Sequence, residues 1–440
     1  MSVRRRSSIL VSGLVAAAVA LAGAVGPAAA PALAAAPSVV PSVALRSAVG
    51  TYTPTTGVLL NDPLGKAVDR RRLLNHIIGA INSTPVGGRI RIATWNLRSD
   101  SAVNALVAAH RRGVSVQVVI DRGNSNVDNP NPAFDKLTTQ LAAYKPVRPA
   151  GQESFTKTCA SSCRGTSGIA HTKMYLFSQA GSARNVVMYG SVNLTDLAAG
   201  YQWNDLYTQV NRADAYNLAS SVFAQMVLDR PVAQPYVRGV FGNLDLAFLP
   251  YSGSGATGDP VMNMLKRVAC QGATGGNASH RTILRIGQTA INGDRGVALV
   301  TKLKALWNAG CDIKMIYAVM GNQALKIMRS KSGRGPVPFR QVTQDWNKDG
   351  VYDRYLHTKF LALGGVYNGK RDAQITWNGS SNWTAVSNVS DDVFAAVTGL
   401  GTRRVYTAYT DQWFRWGHAG SAGSSVDGRS ANPYAKVQIY

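Results

Sequence analysis

The same short phrases occur twice in this chain, in the same order and at nearly constant distance. HTKMYLFS begins at His171 and recurs as HTKFLALG at His357, while GSVNLT begins at Gly190 and recurs as GSSNWT at Gly379. Each pair is followed by a phrase that joins an acid to an alternating apolar run, NDLYTQV from Asn204 and DDVFAAV from Asp391. Three matched phrases in matched order imply a duplicated unit that folds twice to one plan. The upstream stretches agree in outline. RIRIATWNL (Arg89 to Leu97) reads as a strand, SAVNALVAAHRRG as a helix with Val103, Leu106 and Val107 on one face, and VSVQVVID as a buried strand. The second half offers TILRIGQTAI from Thr282, a helix through Leu299, Leu303, Leu306 and Trp307, and then DIKMIYAVM. Strand, helix, strand in each half predicts parallel βαβ units and an α/β fold of two similar α/β/α sandwich domains. A Pro- and Gly-rich stretch from Arg230 to Pro260 supplies the boundary. The expected domains are residues 37–247 and 248–440, each giving one copy of the polar motif to a site at their interface.

Residues 1–36 belong to neither copy. MSVRRRSSIL, an apolar alanine-rich run to about Val25 and small residues through ALAAAPS make the three-part pattern of a secretory signal peptide, so residues 1–36 are expected to be removed and the protein secreted. No later stretch reaches the roughly 18 apolar residues needed to span a bilayer. Against 23 Asp and Glu the chain has 47 Lys and Arg, a net charge of +24, and loss of Arg4, Arg5 and Arg6 with the leader leaves 24 − 3 = +21. Such a surface suits polyanions, whether phospholipid headgroups at a peripheral membrane contact or nucleic acid. Hydrophobic content of 45% excludes disorder. Four cysteines in an exported chain point to disulfides. Proximity pairs Cys159 with Cys163 and leaves Cys270 for Cys311, although four cysteines allow three connectivities.

The chemistry lies in the duplicated phrases. Alternation in HTKMYLFS puts His171 and Lys173 on one strand face, and His357 and Lys359 stand in the same relation. An imidazole beside an ammonium can address one phosphate, the first attacking or moving a proton, the second neutralising oxygen charge. One such pair would be an ordinary solvated strand face; two, each followed by GSxN, are not. Gly190 and Gly379 permit close backbone approach, Ser191 and Ser380 suit a cap or a phosphate oxygen, and Asn193 and Asn382 offer amide donors.

With both phrases in view, the sequence resembles the phospholipase D superfamily, whose signature is a duplicated HxKxxxxD followed by GSxN. It departs from that pattern at Ser178 and Gly364, where the motif has Asp. The resemblance implies a metal-independent, two-step displacement at a phosphodiester. His171 is expected as nucleophile and His357 as acid and then base, the reverse order being the alternative, with Lys173, Lys359, Asn193, Asn382, Ser191 and Ser380 holding phosphate oxygens. A nucleophilic imidazole also needs an acceptor on its other nitrogen. Asp205 and Asp392, which follow His171 and His357 at nearly equal separation and open matching phrases, are the candidates. The reaction expected is hydrolysis of phosphatidylcholine-like lipids by a monomeric enzyme. A sequence-nonspecific nuclease and a non-catalytic polyanion- or wall-binding protein are the alternatives.

Other signals are weaker. Asp345, Asn347, Asp349 and Asp353 imitate the opening of a calcium loop, but position twelve is Leu356 instead of Glu, so a turn feeding the catalytic strand is expected over structural Ca2+. No other cofactor is implied. Trp203, Trp377, Trp383 and Tyr355 suit either the core or the wall of a substrate channel, and His76, His110, His280 and His418 read as structural or surface residues.

Overall fold

A computed structural model describes residues 50–251, 258–419 and 435–437, and the expected signal peptide lies outside them. Residues 46–440 form one compact unit built on two large sheets. The first orders its strands Gly57–Leu60, Asp205–Gln209, Ala183–Gly190, Lys173–Ala180, Arg89–Thr94, Ser115–Asp121 and Phe155–Cys159. The second repeats that path as Leu244–Phe248, Val393–Thr398, Lys370–Gly379, Lys359–Tyr367, Ile283–Ile291, Asp312–Met320 and Phe339–Gln341, with Val237–Phe241 added at one edge. The first strand of the second copy is thus Leu244–Phe248, which pairs with Val393–Thr398 as Gly57–Leu60 pairs with Asp205–Gln209.

Each strand–helix–strand segment forms as its pattern predicts. Arg89–Thr94 and Ser115–Asp121 pair in parallel, connected by the helix Asp100–Arg111, whose Val103, Leu106 and Val107 are buried. Ile283–Ile291 and Asp312–Met320 do the same through Gly293–Asn308. Helices cover both faces of both sheets. Arg72–Asn82, Asp100–Arg111 and Pro132–Ala143 pack on one face of the first sheet, and Pro260–Lys266, Gly293–Asn308 and Asn322–Arg329 on one face of the second. Between the copies, Ala215, Ala219 and Phe223 of the helix Ala213–Val227 share one apolar cluster with Tyr189 and Tyr207 of the first sheet and with Leu246, Val393 and Ala395 of the second. Burying a large apolar side chain contributes roughly 1.5–3 kcal/mol, so this shared layer holds the two copies together as one body.

Both cysteine pairs are bonded, Cys159–Cys163 and Cys270–Cys311. No helix among the described residues is long and apolar enough to cross a membrane.

Candidate active site

Both HxK strands begin at the seam. A third, small sheet shows how: Gln202–Trp203 from the first copy runs parallel to Arg354–Leu356 from the second, and His357 follows directly, its N–H donating to Trp203 O at 2.9 Å. Across the pseudo-two-fold axis the His171 N–H donates to Asp391 O, also at 2.9 Å. Each histidine is therefore anchored by the opposite copy. Lys173 Nζ donates to His171 O and Lys359 Nζ to His357 O, both at 2.7 Å, which leaves each ammonium two further donors. His171, Lys173, His357 and Lys359 are all at most 3% exposed.

The imidazole partners also come from the opposite copy. His171 Nδ1 donates to Asp392 Oδ1 at 2.9 Å, and Ser380 Oγ donates to the same oxygen at 2.5 Å. His357 Nδ1 meets Asn204 Oδ1 at 2.8 Å, and Ser191 Oγ donates to that oxygen at 2.8 Å. Asn204, and not Asp205, is thus the counterpart of Asp392. This corrects two expectations. Asp205 touches neither histidine; its Oδ2 accepts from Tyr406 Oη at 2.6 Å and Asn378 Nδ2 at 3.0 Å, beneath the site. The serines, expected on phosphate oxygens, each have one hydroxyl proton and use it on Asn204 or Asp392, while each Oγ accepts a backbone N–H, from Asp205 and Val393. They hold the partners of the histidines and not the substrate. Nor does Ser191 cap the turn after GSVNL; Thr195 does, accepting from Ala198 N at 3.0 Å.

The remaining motif residues occupy this centre. A Cβ at Gly190 would collide with Asp205 O, and one at Gly379 with Val393 O, so glycine is what lets the two strands close here. Asn193 Oδ1 accepts from Thr94 Oγ1 at 3.2 Å, and its Nδ2 is buried with no partner among the described residues, a donor open to an oxyanion. The Asn382 backbone is fixed by Arg295, whose Nη1 donates to Asn382 O at 2.6 Å. Trp95, which no pattern in the sequence marks, stands 6.1 Å from the His171 ring and 5.9 Å from Lys173 Nζ. The two departures from the family motif lie within their strands, Lys173–Ala180 and Lys359–Tyr367, well past the lysines. Ser178 Oγ accepts from Arg89 N at 2.8 Å, and a Cβ at Gly364 would press on Gly275 O.

Burial sets the electrostatics. It pushes both histidines well below the ordinary imidazole value, and the lysine ammoniums beside them push the same way, so both imidazoles stay neutral without substrate. It lowers Lys359 to about 7 and raises Asp392 to about 7, the latter against the pull of Lys173, Ser380 and Lys359. Burial thus opposes charge on each of these groups, as is common where side chains are set to move protons.

The other expectations resolve simply. Trp203, Tyr355, Trp383 and Trp377 are all buried, Trp203 against Trp413 and Trp416. His76 bonds Tyr52 Oη and Thr208 Oγ1, and His110 bonds Ser154 Oγ and Tyr144 O, both structural roles. At the loop resembling a calcium site, Lys436 Nζ lies 2.8 Å from Asp353 Oδ1 and 3.4 Å from Asp349 Oδ2, and Asp345 accepts backbone N–H groups. Among the described residues no group of three or more His, Cys, Asp or Glu side chains is set to hold a metal.

A duplicated α/β scaffold with two imidazoles, two ammoniums and two amides at its seam defines a phosphodiester-active class of protein. Residues 77–227, which carry the first HxK and GSxN phrases, match the family described as cardiolipin synthase, PLD-like domain. Among solved structures it is similar to phosphatidylserine synthase from Haemophilus influenzae, at 12% identity and TM-score 0.52 over 79% of this chain and 84% of that one. It is also similar to polyphosphate kinase from Porphyromonas gingivalis, at 12% identity and TM-score 0.51 over 87% of this chain and 54% of that one, and so spans about half its length. These likenesses concern the fold. No curated protein matches the chain.

Proposed function

We propose that this chain is a secreted phospholipase D-type phosphodiesterase that hydrolyses phosphatidylcholine-like lipids to phosphatidate and a free headgroup through a phosphohistidine on His171. The observation that carries this reading is the unequal pairing of the two histidines. The Asp392 carboxylate on Nδ1 leaves His171 Nε2 as the lone-pair nitrogen and stabilises the positive charge that develops when it bonds phosphorus. The neutral Asn204 amide orients His357 without such charge stabilisation, which suits a group that gives up a proton and takes one back.

Once bound, the anionic phosphodiester draws a proton onto His357 Nε2; in the first step His171 Nε2 attacks phosphorus, the bond from phosphorus to the leaving oxygen breaks, and that oxygen takes this proton. In the second, water attacks phosphorus as His357 removes its proton, and the P–N electron pair returns to His171. Lys173, Lys359 and the Asn193 amide neutralise the oxygens through both steps. No step calls for a metal or cofactor. The names of the lipid-synthase relatives support a lipid substrate, and two disulfides support an oxidising compartment. A second reading, a nonspecific nuclease, is favoured by the charge left without the leader, 24 − 3 = +21.

The test offers phosphatidylcholine vesicles and plasmid DNA in parallel, with EDTA and a His357→Ala control. Choline release by the wild type alone supports the lipid reading. Nicking of DNA without choline release replaces it with the nuclease.

A further inference from the structure

The two half-sites differ at one polar position on the strand beside each lysine. Thr94 pairs in register with Lys173, and Gln288 pairs in register with Lys359. Register partners on neighbouring strands point to the same face, so Gln288 stands beside Lys359 as Thr94 stands beside Lys173. Thr94 is spent on Asn193 Oδ1 and Asn96 O. Gln288 is 3% exposed, and its Oε1 is buried without a hydrogen-bond partner among the described residues. An amide oxygen in that condition costs about 1–3 kcal/mol of desolvation, which its native setting must offset with a donor.

A small cavity of about 10 Å³ lies at this point, with Gln288, Lys359 and Ser381 as its polar wall. That volume admits roughly one water-sized group. The rest of its lining is largely apolar and includes Met264, Trp377 and Trp383. Phosphate oxygens carry no proton and would be repelled by Gln288 Oε1. The groups in a phosphodiester exchange that can donate to it are hydroxyls, those of the departing alcohol and of the accepting water or alcohol.

We infer that Gln288 is the residue that seats the accepting water for the second half-reaction, in a cavity too confined for an alcohol. The inference rests on the two-step reading above and adds a selector to it. The water oxygen forms a bond to phosphorus, one of its protons passes to His357, the P–N bond breaks, and the electron pair stays on His171 Nε2. Gln288 Oε1 accepts from the second hydrogen of water. An alcohol has a single hydroxyl hydrogen, and that proton must leave to His357, so an alcohol cannot hold both contacts at once. Gln288 therefore favours hydrolysis over transfer.

The test uses the full chain, bis(p-nitrophenyl) phosphate and ethanol, and reads the ratio of ethyl-transferred to hydrolysed product. Gln288→Met removes the acceptor at similar length, and Gln288→Asn withdraws it by one methylene. Both should raise the transfer-to-hydrolysis ratio about three- to tenfold, the effect of one lost hydrogen bond. Gln288→Glu, which keeps an acceptor, should leave the ratio within twofold of wild type. A ratio unchanged in both Met and Asn variants overturns the inference and leaves the phosphodiesterase reading intact. A wild type that releases no p-nitrophenol overturns both.

Discussion

Replacing Asp392 by Asn gives His171 the partner that His357 already has, and its effect can be worked from the geometry. The shape survives: an Asn amide oxygen at the Oδ1 position can still accept from His171 Nδ1 and from Ser380 Oγ, as Asn204 does for His357 and Ser191. What is lost is a buried negative charge one hydrogen bond from the imidazole. The difference between a charge-assisted and a neutral hydrogen bond, together with Coulomb attraction at an effective dielectric of about 20, amounts to about 2–4 kcal/mol on the transition state, roughly 30- to 1,000-fold in kcat. KM should move little, because Asp392 does not touch the substrate. The pH profile gives a second readout. Burial raises Asp392 to about 7, so the wild type loses this charge as the pH falls through 7 and kcat falls with it. The Asn variant has no carboxyl there to protonate and should lack that acid limb. There is a stability cost too, since Asp392 Oδ2 has no partner among the described residues and an NH2 in its place would be a buried unpaired donor, about 1–3 kcal/mol. Steady-state kinetics across the neutral range, with thermal melts, decide the matter. A kcat within threefold of wild type, with the acid limb still present, would refute the assignment of His171 as the charge-stabilised nucleophile.

Three further outcomes are expected. Asn204→Asp should move the alkaline limb of kcat upward, because a carboxylate beside His357 favours its charged form; pH profiles of the variant and wild type check this. Loss of the Cys270–Cys311 bond, which closes a loop with a sequence separation of 41, should cost about 4 kcal/mol by chain entropy, against far less for Cys159–Cys163 with a separation of 4, and denaturant melts of the two double-Ala variants compare them. Burial lowers His76 to about 4 from its ordinary 6.5, so its contribution to stability is complete above 6.5 and is lost as the pH falls toward 4. The shift corresponds to an upper figure of about 3 kcal/mol, and His76→Asn should flatten the fall in melting temperature over that range.

Most of the scaffold was legible because duplication and apolar alternation are properties of the local sequence. The strands at Arg89, Ser115, Ile283 and Asp312 and the helices between them follow their patterns closely. The HxK and GSxN residues were legible for a similar reason, since a strand's period of two places His and Lys together whatever surrounds them. The histidine partners were not. Aligning NDLYTQV with DDVFAAV by their acids matches Asp205 to Asp392, whereas Asn204 lies one position further beyond Ser191 than Asp392 lies beyond Ser380. That single-position difference sits in the turn after GSxN, where no periodicity constrains register. It moves Asp205 beneath the site and brings an amide to His357. The crossing of partners between copies, the place of Trp95 and the unpaired Gln288 likewise depend on how two sheets meet, which no window of sequence records.

The central claim is that His171 becomes covalently bonded to phosphorus. It is tested most directly by mixing His357→Ala with bis(p-nitrophenyl) phosphate, quenching, and mapping the modified peptide by mass spectrometry. p-Nitrophenolate departs without a proton, so the first step proceeds in this variant while the second, which needs His357 as base, stalls. The account predicts a phosphoryl adduct on the peptide that carries His171, and none when His171 is also replaced. Release of p-nitrophenol with no adduct at His171 would contradict it.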